Sequence, residues 1–221
     1  MDSVKFLQEL LTKLGFTPGK IDGDFGPRTA TAYGAAILGG AIHPDDKNVI
    51  QAKADVAKLS PKRKDLARQF GPPPGSWVEG EGGRVVMAPG SSWKRNNIRR
   101  YVLSTGHTVY LHKRVAGQFI AAFAEVELEL RQRAVAGETW RPSSLQSFVM
   151  RHKMWNPAKD LSEHSRGVAL DIDPSDNGYG KKGDIAKNHA WLPPVLLGWG
   201  ISWGGSWRGS RDDMHFEAVT R

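Results

Sequence analysis

Between Gly71 and Gly83 the chain loses every hydrophobic period: Gly71-Pro72-Pro73-Pro74-Gly75-Ser76 is followed by Glu79-Gly80-Glu81-Gly82-Gly83. Proline removes a backbone donor and glycine adds chain entropy, so no regular helix or central strand runs through such a stretch. Residues 69–94 are therefore expected to form a linker. It divides the 221 residues into a small domain at 1–68 and a larger one at 95–221. On that division, a chain beginning near Gly83 is expected to keep its chemistry without the first domain.

Before the linker the pattern is helical. Leu7, Leu10, Leu11 and Leu14 follow i, i+3, i+4, i+7, and Gly15 stands where a helix stop belongs. A second helix is expected from Pro27, a residue suited to a first turn, with Thr29, Ala32, Tyr33 and Ala36 on one face. Val49, Ile50 and Val56 predict a third, and Ser60-Pro61 suggests a cap for the short basic turn Lys62-Arg63-Lys64. The expected product is a small all-α three-helix bundle.

After the linker the periods mix. Tyr101-Val102-Leu103 and His107 to Leu111 flank Ser104-Thr105-Gly106, a hairpin signal. A helix follows with Phe119, Phe123, Val126 and Leu130 inward, which leaves Glu125, Glu127, Glu129 and Arg131 as an expected solvated face. Phe148 to His152 predicts a short strand, and His107 and His112 are expected to be structural.

The chemistry concentrates in Ser162-Glu163-His164-Ser165-Arg166-Gly167-Val168-Ala169-Leu170-Asp171 and, later, Asp212-Asp213-Met214-His215-Phe216-Glu217. A strand from Gly167 to Asp173 sends Val168, Leu170 and Ile172 to one face and Ala169, Asp171 and Asp173 to the other. In the second piece His215 and Glu217 share a face. With no Cys in the chain, a zinc ion has to use nitrogen and carboxylate ligands, and His164, Asp171 and His215 supply them. Glu217, two residues from His215 and so about 6 to 7 Å along the strand, is expected beside the metal's ligands rather than among them. Asp213 is expected to face solvent, because neighbours in extended chain point oppositely.

Ser162-x-His164-x-x-Gly167-x-Ala169-x-Asp171, followed by Asp212-x-x-His215-Phe216-Glu217, resembles the zinc D-Ala-D-Ala carboxypeptidase and L-Ala-D-Glu endopeptidase family over roughly residues 95 to 221. These are peptidoglycan peptidases whose fold is shared with hedgehog domains. The resemblance implies an α+β domain with a mainly antiparallel sheet and zinc on His164, Asp171 and His215. It makes Asp212 the proton carrier and puts Arg151 and Ser162 on the substrate side, with His152 an alternative contact. Carboxypeptidase branches have Glu where this chain has Asp212, which turns the expectation toward an L-Ala-D-Glu endopeptidase of phage type. Leu7-Gln8, Gly15, Asp22-Gly23-Asp24-Phe25-Gly26 and Thr29 in turn resemble a peptidoglycan-binding domain of cell-wall hydrolases, with Asp22, Asp24 and Arg28 as candidate glycan contacts. Together the two resemblances imply an endolysin.

The formal charge of +8 favours an anionic partner, and bacterial peptidoglycan is one. No groove-entering motif is readable, so nucleic acid is not expected. No apolar run suits membrane insertion, and Met1-Asp2-Ser3-Val4 leads into amphipathic sequence, so no signal peptide is expected. The expectation is a monomer made in a host cytoplasm that reaches the wall with help. The 174–190 loop and the Trp-rich run Trp191, Trp199, Trp203, Trp207 are candidate walls of a substrate channel.

Overall fold

Residues 2–220 are described by the structure, a computed structural model. Helix α1 (Ser3–Lys13) starts where the Asp2 carboxylate accepts from the backbone N–H of Val4 and Lys5. Its Leu7 and Leu11 are buried, whereas Leu14 lies past the helix end and is exposed. Helix α2 (Pro27–Leu38) has Pro27 in its first turn, as expected, and buries Thr29, Ala32, Tyr33 and Ala36. Helix α3 (Lys47–Ala57) buries Val49, Ala52 and Val56 but exposes Ile50. Ser60 does not cap the next turn: its hydroxyl donates to the Gly200 carbonyl and accepts from the Gln118 amide. A 3-10 turn at Arg63–Asp65 and helix α4 (Leu66–Phe70) follow.

The stretch expected as a linker carries structure of its own. Strands β1 (Trp77–Glu79) and β2 (Val85–Met87) pair antiparallel, Phe70, Pro72 and Val85 are buried, and Arg84 bridges to Arg151. Composition argued against a core strand, and what forms is a short hairpin that lies against residues 150–152. After helix α5 (Trp93–Asn97), β3 (Ile98–Val102) and β4 (Thr108–His112) form the expected hairpin. Helix α6 (Ala116–Val135) buries Phe119, Phe123, Val126 and Leu130. The expected strand at 148–152 is reduced to single bridges at Arg151 and His152, and the paired segment is instead β5 (Leu145–Gln146). Strand β6 (Ala169–Ile172), helices α7 (Asp184–Asn188) and α8 (Leu192–Gly198), and strands β7 (Ser202–Trp203) and β8 (His215–Glu217) complete a mixed α+β fold with small antiparallel sheets. The largest sheet has the order β5-β6-β8-β7.

Helices α1 to α3 and the later elements share one continuous hydrophobic core. Phe25 and Tyr33 pack on the Trp199 indole at ring distances of 5.0 and 5.2 Å. A Cβ on Gly117 would come within 2.4 Å of the Phe25 carbonyl, which is why helix α6 carries glycine where it meets the 21–29 turn. Against expectation, Glu125 and Glu127 are buried. Glu125 accepts from the Tyr33 hydroxyl at 2.5 Å, the Lys53 ammonium at 2.7 Å and the Trp199 indole at 3.1 Å, so its charge is compensated across the contact between the halves. Glu127 is held by Arg131 and Arg141. The helical period marked this face as polar but could not mark its partners, which come from α2, α3 and the turn after α8.

Candidate functional site

Strands β6 and β8 place Asp171 directly opposite His215. His164 arrives from a 3-10 turn, Glu163–Arg166, that Ser162 begins by accepting from the His164 N–H and Gly167 ends at φ 67°. A Cβ on Gly167 would lie 2.6 Å from Ile98 and 2.7 Å from the His112 nitrogen, so the turn's close approach to β4 requires glycine. His164 Nε2 lies 3.1 Å from Asp171 Oδ1 and 3.2 Å from His215 Nδ1, and those two are 3.0 Å apart. All three residues are buried, and together they form a group that could hold a metal ion.

The donor set fits zinc. Ligands at a tetrahedral ion's bond length of about 2.0 Å stand about 3.3 Å from each other, close to the spacing of these three atoms. Both rings are also held in the tautomer that coordination needs: His164 Nδ1–H donates to the Ser147 carbonyl at 2.6 Å, and His215 Nε2–H donates to Glu217 at 3.3 Å. Glu217 is thus the hydrogen-bond partner of His215 Nε2. Burial works against the His215 charge, but Asp171 and Glu217 overcome it and raise its pKa to about 10. Burial likewise pushes the Asp171 carboxyl up, and His164 and His215 more than offset this to hold it well below the usual carboxylate range. The Asp171 and Glu217 carboxylates thus favour positive charge on His215.

In front of the three atoms lies a cleft of about 240 Å³. Its lining includes Arg151, Lys153, Lys159, Ser162, Tyr179, Trp207, Asp212 and His215. Asp212 Oδ1 is buried without a hydrogen-bond partner among the described residues. Burial raises the Asp212 pKa to about 6; His215 pulls it down, Asp171 adds to the rise, and His164 and Arg151 pull it down. Gly204 makes room for this arrangement, because a Cβ there would stand 2.5 Å from the Asp212 carbonyl and 3.2 Å from His215 Cβ. The arrangement brings a group that could hold a metal ion, a carboxylate without a hydrogen-bond partner among the described residues and a guanidinium to one region.

Not every expected residue belongs there. Ser162 borders the cleft but spends its hydroxyl on the turn that carries His164. His152 is buried and faces away, contacting Glu79 at 3.0 Å and the Lys159 carbonyl. Asp213 is fully buried rather than solvent-facing: it accepts from the Gly183 N–H at 2.6 Å and pairs with Arg211, because the chain turns at 212–214 before β8 begins. His112 is structural as expected, its pKa lowered to about 4 by burial and by Arg114 and Lys113. Of the 174–190 loop, Tyr179 reaches the cleft. Of the tryptophans, Trp207 does so, 5.3 Å from the His215 ring, while Trp199 is core. Arg63 and Glu163 escaped the sequence reading. Glu163 sat inside the motif unassigned, and nothing near Arg63 signalled a site more than 90 residues away.

Asp22, Asp24 and Arg28 border a separate groove of about 270 Å³ on the 21–29 turn. Gln8, almost wholly buried, is the hub of that turn: its carbonyl accepts from the N–H of Asp22 and Gly23, and its amide donates to Asp22, the Asp24 carbonyl and Thr29. The Asp22 carboxylate also accepts from the Asp24 N–H, and these hydrogen bonds hold its pKa below the ordinary value.

Residues 156–218 match a family model described as D-alanyl-D-alanine carboxypeptidase, and residues 1–32 match one for a peptidoglycan binding domain. The first match contains His164, Asp171, Asp212 and His215; the second contains Gln8, Asp22, Asp24 and Arg28. No curated protein and no solved structure matches the chain. The two family matches give the chain the layout of a peptidase that acts on the cell wall, with a peptidoglycan-binding segment first and a peptidase segment after it.

Proposed function

We propose that the chain is a zinc peptidase that cuts the stem peptides of peptidoglycan, with the L-Ala-D-Glu bond as target. The observation that carries the reading is the convergence of His164, Asp171 and His215 at 3.0 to 3.2 Å beside the unpartnered Asp212 carboxylate. His164 Nε2, Asp171 Oδ1 and His215 Nδ1 would hold the zinc, which would supply Lewis acidity toward a peptide carbonyl and bring a water's pKa toward about 7. Asp212 takes the water's proton and passes it to the leaving amine. Arg151, across the same cleft, steadies the carbonyl oxygen as charge builds on it or holds a substrate carboxylate. Arg151 and Lys159 bring positive charge to that cleft, while Lys153 is paired with Glu163, and this suits the carboxylates of a stem peptide. The domain fold is proposed to be that of the D-Ala-D-Ala peptidase and hedgehog group, preceded by a three-helix peptidoglycan-binding unit.

A second reading, D-Ala-D-Ala carboxypeptidase, is favoured by the description of the matching family model. A third, a noncatalytic wall-binding protein, has the free Asp212 carboxylate against it. The endolysin role, a monomeric state and release from a host cytoplasm complete the proposal. Among the described residues no helix is long and apolar enough to cross a membrane. Mass analysis of fragments released from purified peptidoglycan tests the reading. New N-terminal Glu supports the endopeptidase, free Ala supports the carboxypeptidase, and no product with zinc supplied excludes both.

A further inference from the structure

Beside the candidate metal centre stands a residue from the first part of the chain, two of whose neighbours, Glu163 and Trp207, also line the cleft. Arg63 comes from the turn after α3, and its guanidinium forks between two buried carboxylates: one arm meets Glu163 at 2.5 Å, the other meets Glu217. Glu217 is wholly buried and uses its second oxygen to accept from His215 Nε2–H. A contiguous path therefore runs from Arg63 through Glu217 to His215 Nδ1. The backbone around Arg63 is fixed as well, since its N–H donates to the Thr220 carbonyl and Thr220 N–H donates to the Pro61 carbonyl, tying 61–63 to the chain just beyond β8. The Trp207 ring, which also contacts His215, covers the guanidinium at 5.8 Å.

We propose that Arg63 is a positioning residue of the metal centre, so that the helical first part of the chain completes the site rather than only delivering it to a polymer. This rests on the zinc reading of His164, Asp171 and His215. A carboxylate with no exposure needs a compensating cation; without one it moves to find another partner. That movement ends its acceptance from Nε2–H and frees the His215 ring to turn or to adopt the other tautomer. The planar fork matters, because it neutralises Glu217 while fixing the plane in which the second oxygen faces the ring. Lysine offers the charge without that geometry.

The test measures zinc affinity by chelator competition, with thermal unfolding of the metal-free protein alongside, for the full chain and for Arg63→Met, Arg63→Lys, Glu217→Gln and the Arg63→Met/Glu217→Gln pair. Lys53→Met serves as control, because Lys53 also pairs with a buried carboxylate across the two halves but reaches no metal ligand. Expected is a tenfold to hundredfold loss of affinity in Arg63→Met, the range typical of lost outer partners of a ligand, with partial rescue in Arg63→Lys. The double variant should lose little more than either single one. Lys53→Met should lower the melting temperature and leave zinc affinity at the wild-type value. Should Arg63→Met fail to fold, Arg63→Lys carries the comparison. Wild-type affinity in a folded Arg63 variant, additive losses in the pair, or an equal loss in Lys53→Met overturns the proposal. A full chain that binds no zinc overturns the metal reading itself, a result distinct from each of these.

Discussion

The turn at residues 21–29 and the strand pair β6/β8 are both built from closely spaced polar side chains, yet they leave those groups in opposite states. In the turn, Gln8 and Asp22 spend their donors and acceptors on backbone and on each other. In the strand pair, three candidate ligand atoms face one another at 3.0 to 3.2 Å with their outer edges already satisfied by Ser147 and Glu217, and Asp212 keeps an oxygen free among the described residues. A polar motif thus marks chemistry where its atoms are held but unspent, and marks scaffold where they are consumed. Sequence spacing alone gives both the same appearance.

The largest effects should separate ligands from everything else. His164→Ala and Asp171→Ala are expected to abolish hydrolysis and to lose zinc on dialysis, read by metal analysis. Affinity in the wild type should also fall with acid. The metal-free His215 carries a proton up to a pKa near 10, so metal uptake at neutral pH has to release it, and raising the pH removes that competitor. Proton release measured by calorimetry in buffers of different ionisation enthalpy checks the sign. Zinc uptake with no proton released would contradict the tautomer and charge assigned to His215.

Asp212→Asn comes next. Zinc content should stay near normal while turnover drops roughly a hundredfold to ten-thousandfold, as for a lost general base. A base has to be ionised to act, so activity of the wild type should fall as pH drops through the Asp212 pKa, which is about 6 before a dication arrives and lower once one is near. If Asp212→Asn remains active and Glu217→Gln is inactive with zinc bound, the proton carrier is Glu217.

Removing residues 1–82 breaks the comparison from the other side. Sequence composition promised a linker and hence an independent catalytic part. In the structure, that cut strips α2 and α3 from α6 and Trp199, and it takes Tyr33 and Lys53 from Glu125 and Arg63 from Glu163 and Glu217. The truncated chain is expected to aggregate or to bind zinc poorly. A soluble truncated form with full zinc affinity and full activity on muropeptides would restore the two-domain reading.

What the sequence made legible follows from range. The α1 and α2 patterns, the 98–112 hairpin, the Asp171–His215 pairing and the outer position of Glu217 rest on periods and spacings within one or two elements. Glu125, Asp213 and Arg63 were misread or missed because their neighbours are distant in sequence: Glu125 meets α2, α3 and Trp199, Asp213 meets Gly183, and Arg63 meets β8. Burial of a charge is set by such partners, and a helical wheel has no way to register them. The Pro/Gly stretch was misjudged for a related reason. Composition excludes a core strand, but it does not exclude a short hairpin anchored by Phe70, Val85 and the Arg84–Arg151 bridge.

The smallest expected effects test the turn. Gln8→Ala removes the hub and leaves the Asp22 and Gly23 N–H groups and the Thr29 hydroxyl short of partners, so stability should fall by about 1–3 kcal/mol in denaturant titration. Zinc affinity and turnover on a soluble peptide should not change, because the Gln8 side chain bonds to residues 22–29 and to no residue of β6 or β8. Arg28→Ala is the complementary case: Arg28 is exposed beside the groove, so stability should move by no more than about 0.5 kcal/mol, while retention on purified peptidoglycan should weaken. If Arg28→Ala binds the polymer as well as wild type and Gln8→Ala at a temperature where it is folded does not, then the spent groups of the turn read the polymer after all, and the distinction drawn between the two motifs fails at its scaffold end.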